Sequence, residues 1–284
     1  MLFKKIKYNL IKLIKNDFCI VFLRYMIRHR KIPKFKNPKT FNEKIAHNKL
    51  YSKSELLAPL CDKYLVKDYV REKIGNKYVL DTLFITSSPA SIPFSDLPNS
   101  FIIKATHGSG WNIIVKNKNK VDFNDIIKKC NFFLSMNYYY LGRERQYKNI
   151  KPQIMIEKLL LDEEGEVPKD YKFFSFNGKT KFIQVDIDRE GDHKRNFYDS
   201  NWNKVPFELN YPSYQLDIEK PLNLNKMLEI SEILSNELNF ARIDLYSILN
   251  DIYFGEITFT PENNLGIFSP IEYDKILGDY LDIW

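Results

Sequence analysis

The chain has 284 residues, 44% hydrophobic and 15% aromatic, enough for two domains, or for one domain with subdomains, and too apolar for wholesale disorder. Its three cysteines, Cys19, Cys61 and Cys130, are widely spaced, odd in number and in no CxxC pair, which argues against a disulfide framework or zinc knuckle and fits a reducing compartment. The net charge of +7 is uneven, with 13 Lys/Arg and 2 acidic residues in positions 1–44 against 30 and 34 in the rest; a basic head on a mildly acidic body is not the pattern of a nucleic-acid groove.

Residues 1–30 carry a helical pattern, with Phe3, Ile6, Leu10, Leu13 and Ile14 on one face and Lys4, Lys5, Lys7, Lys12 and Lys15 largely off it. The apolar run 18–27 contains Arg24 and is too short and too charged to span a bilayer. It also lacks the small-residue cleavage site of a secretory signal. A basic amphipathic helix of this kind either lies on an anionic membrane surface or packs on the body with its lysines solvated. In the connector 33–44, Thr40 and Glu43 form a candidate capping box opening a helix through residue 50. A second helical pattern covers 58–73 and stops at Gly75. Residues 78–86 read as a strand and 87–99 as a Ser/Pro-rich loop.

The next stretch, F-I-I-K-A-T-H-G-S-G-W-N-I-I-V over 101–115, places two β-branched strands around a small-residue loop, with Lys104 at the end of the first. Glycines let backbone N–H groups approach phosphates closely, and a lysine supplies a point charge. No GK[ST] or GxGxxG motif is present. His107 has no nucleophile or ligand partner nearby in sequence and reads as a loop histidine that hydrogen-bonds locally rather than as a catalytic base. A helix over 122–140 precedes a basic segment at 142–151 and a short apolar strand at 154–161 that holds Glu157-Lys158-Leu159-Leu160. Residues 170–188 form a hairpin turning at Asn177-Gly178. A charged loop (189–195), a β segment (196–207) and an amphipathic helix (222–239) follow.

Residues 241–261 read as a final hairpin. Side chains alternate faces along a strand, so Arg242 and Asp244 share one face and Glu256 and Thr258 another. If the strands pair, all four converge, and a guanidinium, two carboxylates and a hydroxyl make a candidate Mg²⁺–phosphate site. An ordinary strand pair with a solvated polar face has the same pattern.

Taken in order, these features resemble the α+β ATP-grasp fold of carboxylate–amine ligases. They are a strand lysine before a glycine hairpin, a strand ending E-K-L-L, a hairpin, a helix, and R-x-D followed by E-x-T-x-T-P. The segments N-P-K-T-F-N-E-K, C-D-K-Y-x-V-K-x-Y-V, K-A-T-H-G-S-G and D-Y-K-F-F-S-F-N-G resemble its TupA-like branch, over roughly residues 35–284. The resemblance implies a basic helical extension (1–34), an N-terminal subdomain (35–98), a lid with the glycine loop (99–160) and a C-terminal subdomain with the metal site (161–284). It implies that Lys104 and the loop residues His107, Gly108, Ser109 and Gly110 cover ATP phosphates. Adenine would lie against Glu157, Lys158, Leu159 and Leu160, and the ribose at Asp170. Asp244, Glu256 and Thr258 would hold Mg²⁺. Thr258 stands where the family pattern has asparagine and offers a hydroxyl oxygen in place of a carbonyl.

TupA-like proteins are associated with bacterial surface polymers such as teichuronopeptide and capsule. The resemblance therefore implies a ligase that joins an amino acid or amine to a uronic acid carboxyl through an acyl phosphate. Arg242 would stabilise developing charge, with Lys172 and Arg195 as further phosphate or substrate contacts, and Arg189 and Lys194 beside them; a solvated charge run is the alternative for that loop. The acceptor would be a saccharide and the enzyme cytoplasmic, with its basic head as a peripheral attachment to the inner membrane face. A sugar kinase would use much the same metal site without the acyl step. A glycosyltransferase of the same pathway is the other alternative, although Asp186-Ile187-Asp188 is the chain's one D-x-D sequence.

Overall fold

The computed structural model describes residues 2–189 and 191–283. Met1, Glu190 and Trp284, and the side chains of Phe3 and Lys4 named above, lie outside the described residues. Two helices, α1 (Leu2–Leu13) and α2 (Asp17–His29), stand where the sequence pattern suggested one. The break falls at Asn16, whose side chain accepts a hydrogen bond from the Cys19 N–H at 3.2 Å and so caps α2; a short polar side chain satisfies an otherwise orphaned N–H in this way. The apolar face expected on α1 is left largely outside, with Ile6, Leu10 and Leu13 exposed, while Tyr8 packs inward.

The capping box is present at the start of α3 (Phe41–Tyr51): Thr40 Oγ1 accepts from the Glu43 N–H at 3.3 Å, and Glu43 accepts from the Thr40 N–H at 3.4 Å. The pattern over 58–73 splits into α4 (Ala58–Cys61) and α5 (Val66–Ile74). Asp62 turns its carboxylate onto the N–H groups of Tyr64 and Leu65, at 2.8 and 3.2 Å. That local bond competes with helix continuation and leaves Lys63 on an irregular turn.

The first sheet contains β1 (Thr82–Thr86), β2 (Phe101–Ala105), β3 (Asn112–Val115) and β4 (Ile154–Lys158), in the order β1-β4-β2-β3. Because β1 pairs with β4, this sheet draws on residues from both sides of the position 98/99 boundary. Helix α6 (Phe123–Leu134) packs Ile126 and Cys130 against Phe101, Ile103, Ile154 and Ile156, and α7 (Tyr139–Gly142) follows.

The second sheet holds β5 (Asp170–Phe176), β6 (Lys179–Ile187), β7 (Lys194–Tyr198) and β8 (Lys204–Val205). Beyond them come β9 (Glu208–Leu209), α8 (Leu224–Ser235), β10 (Phe240–Ile248), β11 (Asp251–Thr258), β12 (Phe268–Ser269) and α9 (Glu272–Tyr280). The sheet order is β11-β10-β5-β6-β7-β8, while β9 and β12 pair separately. Asn177 and Gly178 both have positive φ, 47° and 73°, as a two-residue hairpin turn of the right twist requires.

Alternation along these strands gives the sheet two unlike faces. Phe173, Ile183, Val185, Ile243 and Leu245 point to one side, where Met227, Ile230 and Leu234 of α8 cover them. Burial of each such side chain contributes about 1.5–3 kcal/mol. The other face is divided along its length. At one end Phe174, Phe176, Phe182, Phe197 and Phe240 form an aromatic cluster with Phe41 and Leu277. At the other, the same strands present Asp170, Lys172, Gln184, Asp186, Arg195, Arg242 and Asp244.

Candidate active site

That polar end forms the floor of a cavity of about 320 Å³, roofed by Lys104, Ser109, Gly110 and Asn112 of the glycine hairpin. The final hairpin pairs in the register that brings its four polar residues together: Arg242 lies opposite Thr258, and Asp244 opposite Glu256. Arg242 grips Asp244 with two hydrogen bonds of 2.7 Å, from Nε and from one terminal nitrogen. The same nitrogen donates to Glu256 at 3.1 Å and to Thr258 Oγ1 at 3.2 Å, and Thr258 in turn donates to Glu256 at 3.0 Å. Burial pushes the Asp244 carboxyl up to about 6 despite Arg242 and Lys172. Glu256 goes the other way: its desolvation is outweighed by Lys63 and Arg242, which draw it down to about 2. Fixed opposite charges in a confined cleft are the preorganised surroundings that transferring anions need.

The glycine hairpin owes its closeness to two positions. A Cβ on Gly108 would lie 2.7 Å from the Trp111 ring, and Gly110 has φ +71°, a conformation that L side chains rarely adopt. Lys104 lines the cavity while its Nζ lies 2.7 Å from Glu157. Glu157 is buried between Lys104 and Lys67. Burial alone would raise its pKa, but the two lysines win and hold the carboxyl below the ordinary range. Lys63, carried in by the break between α4 and α5, donates to the Gly108 carbonyl at 2.7 Å and stands 3.6 Å from Glu256. It thereby joins the hairpin roof to the carboxylate floor.

At the far end Lys172 pairs with Asp170 and lies 3.3 Å from Asp186. Arg189 folds back to Asp170 at 3.1 Å. Arg195 meets Asp186 at 2.6 Å and Glu262 at 2.7 Å. Burial opposes ionisation of Asp186, yet Lys172 and Arg195 hold its carboxyl far below the usual range. Glu262, Asn263 and Asn264 form a left-handed turn with φ of 52°, 54° and 60°. Helix α2 holds it from behind: Arg28 donates to the Leu265 carbonyl (3.1 Å) and Asn210 (2.8 Å), and His29 lies 3.2 Å from the Asn264 carbonyl.

Of the residues singled out from sequence, Lys104, Ser109, Gly110, Asp170, Lys172, Arg189, Arg195, Arg242, Asp244 and Glu256 line this one cavity. Thr258 sits beside it, within the Arg242–Glu256 cluster. His107 does not reach it. Its ring is buried behind the hairpin against Trp111, with Nε2 3.1 and 3.2 Å from the carbonyls of Phe133 and Met136, so its place is structural. Glu157 is a counter-ion for two lysines, which leaves its carboxylate committed away from a ligand. Lys158 is exposed, Leu159 buried and Leu160 half-buried, and they do not line the cavity. Lys194 pairs with Asp192 outside it.

Lys63, Asn112, Gln184, Tyr246 and Glu262 line the cavity without having been singled out. Gln184 and Tyr246 stand two residues from Asp186 and Asp244, so strand alternation alone would have placed them there. For Lys63 the signal is Asp62, a residue whose short carboxylate favours bonding to the backbone N–H groups that follow it and so puts its successor on a turn. Glu262 had no signal, because a non-glycine left-handed turn is not readable from P-E-N-N.

Among the described residues no three His, Cys, Asp or Glu side chains converge as a self-sufficient metal site. A pair such as Asp244 and Glu256 is nonetheless what Mg²⁺ uses when phosphates and water supply its other ligands. The donor set therefore fits magnesium held together with a polyphosphate. The described residues contain no helix long and apolar enough to cross a membrane.

Among solved structures, the chain is similar to D-alanine–D-alanine ligase from Bacillus anthracis (16% identity, 77% of this chain and 65% of that one, TM-score 0.46). It is also similar to phosphoribosylamine–glycine ligase from Thermotoga maritima (15% identity, 76% and 54%, TM-score 0.44). A third is the ATP-grasp ligase PsnB complexed with a phosphomimetic precursor variant, Mg and ADP (10% identity, 80% and 58%, TM-score 0.42). The chain thus spans between about half and two thirds of the length of these structures. No curated protein matches it. The TupA-like ATPgrasp family matches residues 43–282, taking in both sheets and every cavity residue named above, and the chain belongs to that family.

Proposed function

We propose that this protein is an ATP-dependent carboxylate–amine ligase that joins an amino acid or amine to a uronic acid carboxyl of a bacterial surface polysaccharide or its precursor. The observation that carries the reading is the meeting of Lys63, Lys104 and the glycine hairpin with Arg242, Asp244 and Glu256 around one polar cavity. In this reading Lys63 and Lys104, with the N–H groups of residues 106–110, hold the ATP phosphates. Asp244 and Glu256 hold Mg²⁺, which when bound supplies positive charge against the phosphate oxygens. The γ-phosphoryl passes from ATP to the substrate carboxylate oxygen, leaving ADP. The amine then attacks the acyl carbon, and the C–O bond to phosphate breaks with loss of a proton from nitrogen. Arg242 faces the charge that develops in both steps. Positioning and charge neutralisation carry most of such a transfer.

The basic head is consistent with a peripheral place at an anionic membrane surface: α1 exposes Ile6, Leu10 and Leu13 among lysines, and α2 exposes Leu23 and Ile27 beside Arg24 and Arg28. Charge and exposed apolar area together favour such attachment.

The test is incubation with ATP, Mg²⁺ and glucuronate or galacturonate oligosaccharides in the presence of hydroxylamine. An acyl hydroxamate with ADP release is expected. A stable phosphorylated sugar would instead identify a kinase and overturn the ligase reading.

A further inference from the structure

A second cavity, of about 780 Å³, lies between α1, α2 and α6. Its walls are mainly apolar, from Ile11, Ile20, Leu23 and Ile27 on the helical head to Phe132 and Met136 at the end of α6. Neither the phosphates nor the carboxylates of the proposed reaction have a use for such a surface. Leu23 and Ile27 are 53% and 78% exposed, an arrangement that leaves large aliphatic groups in water unless something covers them.

Two features bear on what could cover them. Gly110 lines both this groove and the polar cavity, so the two lie on either side of the tip of the glycine hairpin. Lys7 and Arg24 also stand on the groove wall, so the apolar surface carries positive charge and, among the described lining residues, no carboxylate. An apolar trough with cations that adjoins a cavity suited to phosphates and carboxylates is complementary to a long hydrocarbon chain with an anionic head.

We infer that this groove seats the hydrocarbon chain of an amphiphilic acceptor, whose anionic head group enters the polar cavity beside Gly110. The inference rests on the ligase reading and specifies its acceptor as lipid-linked rather than a free sugar or finished polymer. The chain is drawn from the surface on which the head lies, and the groove holds it while the head group reacts.

Calorimetric titration with alkyl phosphates from octyl to tetradecyl tests this on the full chain, below their micelle-forming concentrations, with a magnesium–ATP analogue present to fill the phosphate site. Each added methylene is expected to tighten binding about fourfold until the groove is full, after which affinity levels off. Leu23→Glu and Ile27→Glu, both at exposed positions, are expected to weaken binding at least about tenfold while leaving the thermal shift caused by Mg-ATP unchanged. Equal binding by wild type and both variants, or affinity that climbs without levelling, overturns the groove. So does adsorption to anionic vesicles with no binding of the monomeric alkyl phosphates. The outcome is separable from the ligase reading: alkyl phosphate binding without any hydroxamate would refute the ligase alone, and hydroxamate formation without alkyl phosphate binding would refute the groove alone.

Discussion

Replacing Glu157 by glutamine separates two roles for this carboxylate, a contact to the nucleotide and a counter-ion for two lysines. In the structure Glu157 is 3% exposed and lies between Lys104, at 2.7 Å, and Lys67. Removing one partner of a buried pair costs about 3–5 kcal/mol. Glutamine keeps an acceptor, and Lys67 retains bonds to the Leu80 carbonyl (2.8 Å) and Thr82 (2.7 Å), so a loss of about 2–3 kcal/mol is expected. At roughly 2 °C per kcal/mol for a chain of this size, the melting temperature should fall by about 4–6 °C. The pH dependence is the sharper signature. The folded-state pKa of Glu157 is depressed, so its stabilisation is full above the unfolded value of about 4.3 and disappears as pH falls through the lower folded value. The gap between wild type and variant should therefore be constant from about pH 7 to 5 and close below about pH 4. Differential scanning fluorimetry across pH measures both. A gap independent of pH, or unchanged stability with lost ATP binding, would refute the counter-ion account and make Glu157 a direct nucleotide contact.

Asp244→Asn and Glu256→Gln should each weaken Mg-ATP binding by at least about tenfold, since each removes a charge from a two-carboxylate donor set; isothermal titration with and without Mg²⁺ checks this, and equal losses without metal would exclude a metal role. Lys63→Met should raise the KM for ATP several-fold, because it unties the Gly108 carbonyl from the Glu256 side; an unchanged KM would mean that Lys63 only braces the α4–α5 turn. Gly110→Ala imposes a strained left-handed backbone, costing about 1 kcal/mol or more, and should lower kcat more than thermal stability. Asp186→Asn should lose its stability difference from wild type as pH falls below about 4, by the same sign rule as Glu157.

Much of this architecture was legible in the chain because strands and caps declare themselves locally. The Arg242–Thr258 cluster followed from alternation once the two strands paired as a hairpin, and the capping box from Thr40 and Glu43. What stayed hidden depends on partners distant in sequence. Glycine spacing says nothing of His107 turning away toward the carbonyls of Phe133 and Met136, and the E-K-L-L strand does not reveal Lys67 waiting for Glu157. The single expected N-terminal helix became two because one asparagine cap outweighed a continuous apolar pattern. The face that pattern marked as apolar was not the face that packs; Tyr8 and Tyr25 took that part.

The bonds from Arg28 and His29 to the turn at 262–266 give the head a mechanical meaning. An enzyme hung on a slack tail tumbles beneath its attachment point and must find its substrate in every orientation. Here the last turn of α2 is bolted to the wall that carries Glu262, so whatever fixes the head also fixes the compass bearing of the cavity mouth. Deleting residues 1–30 would take away more than a run of basic charge: it would unfasten one side of the polar cavity.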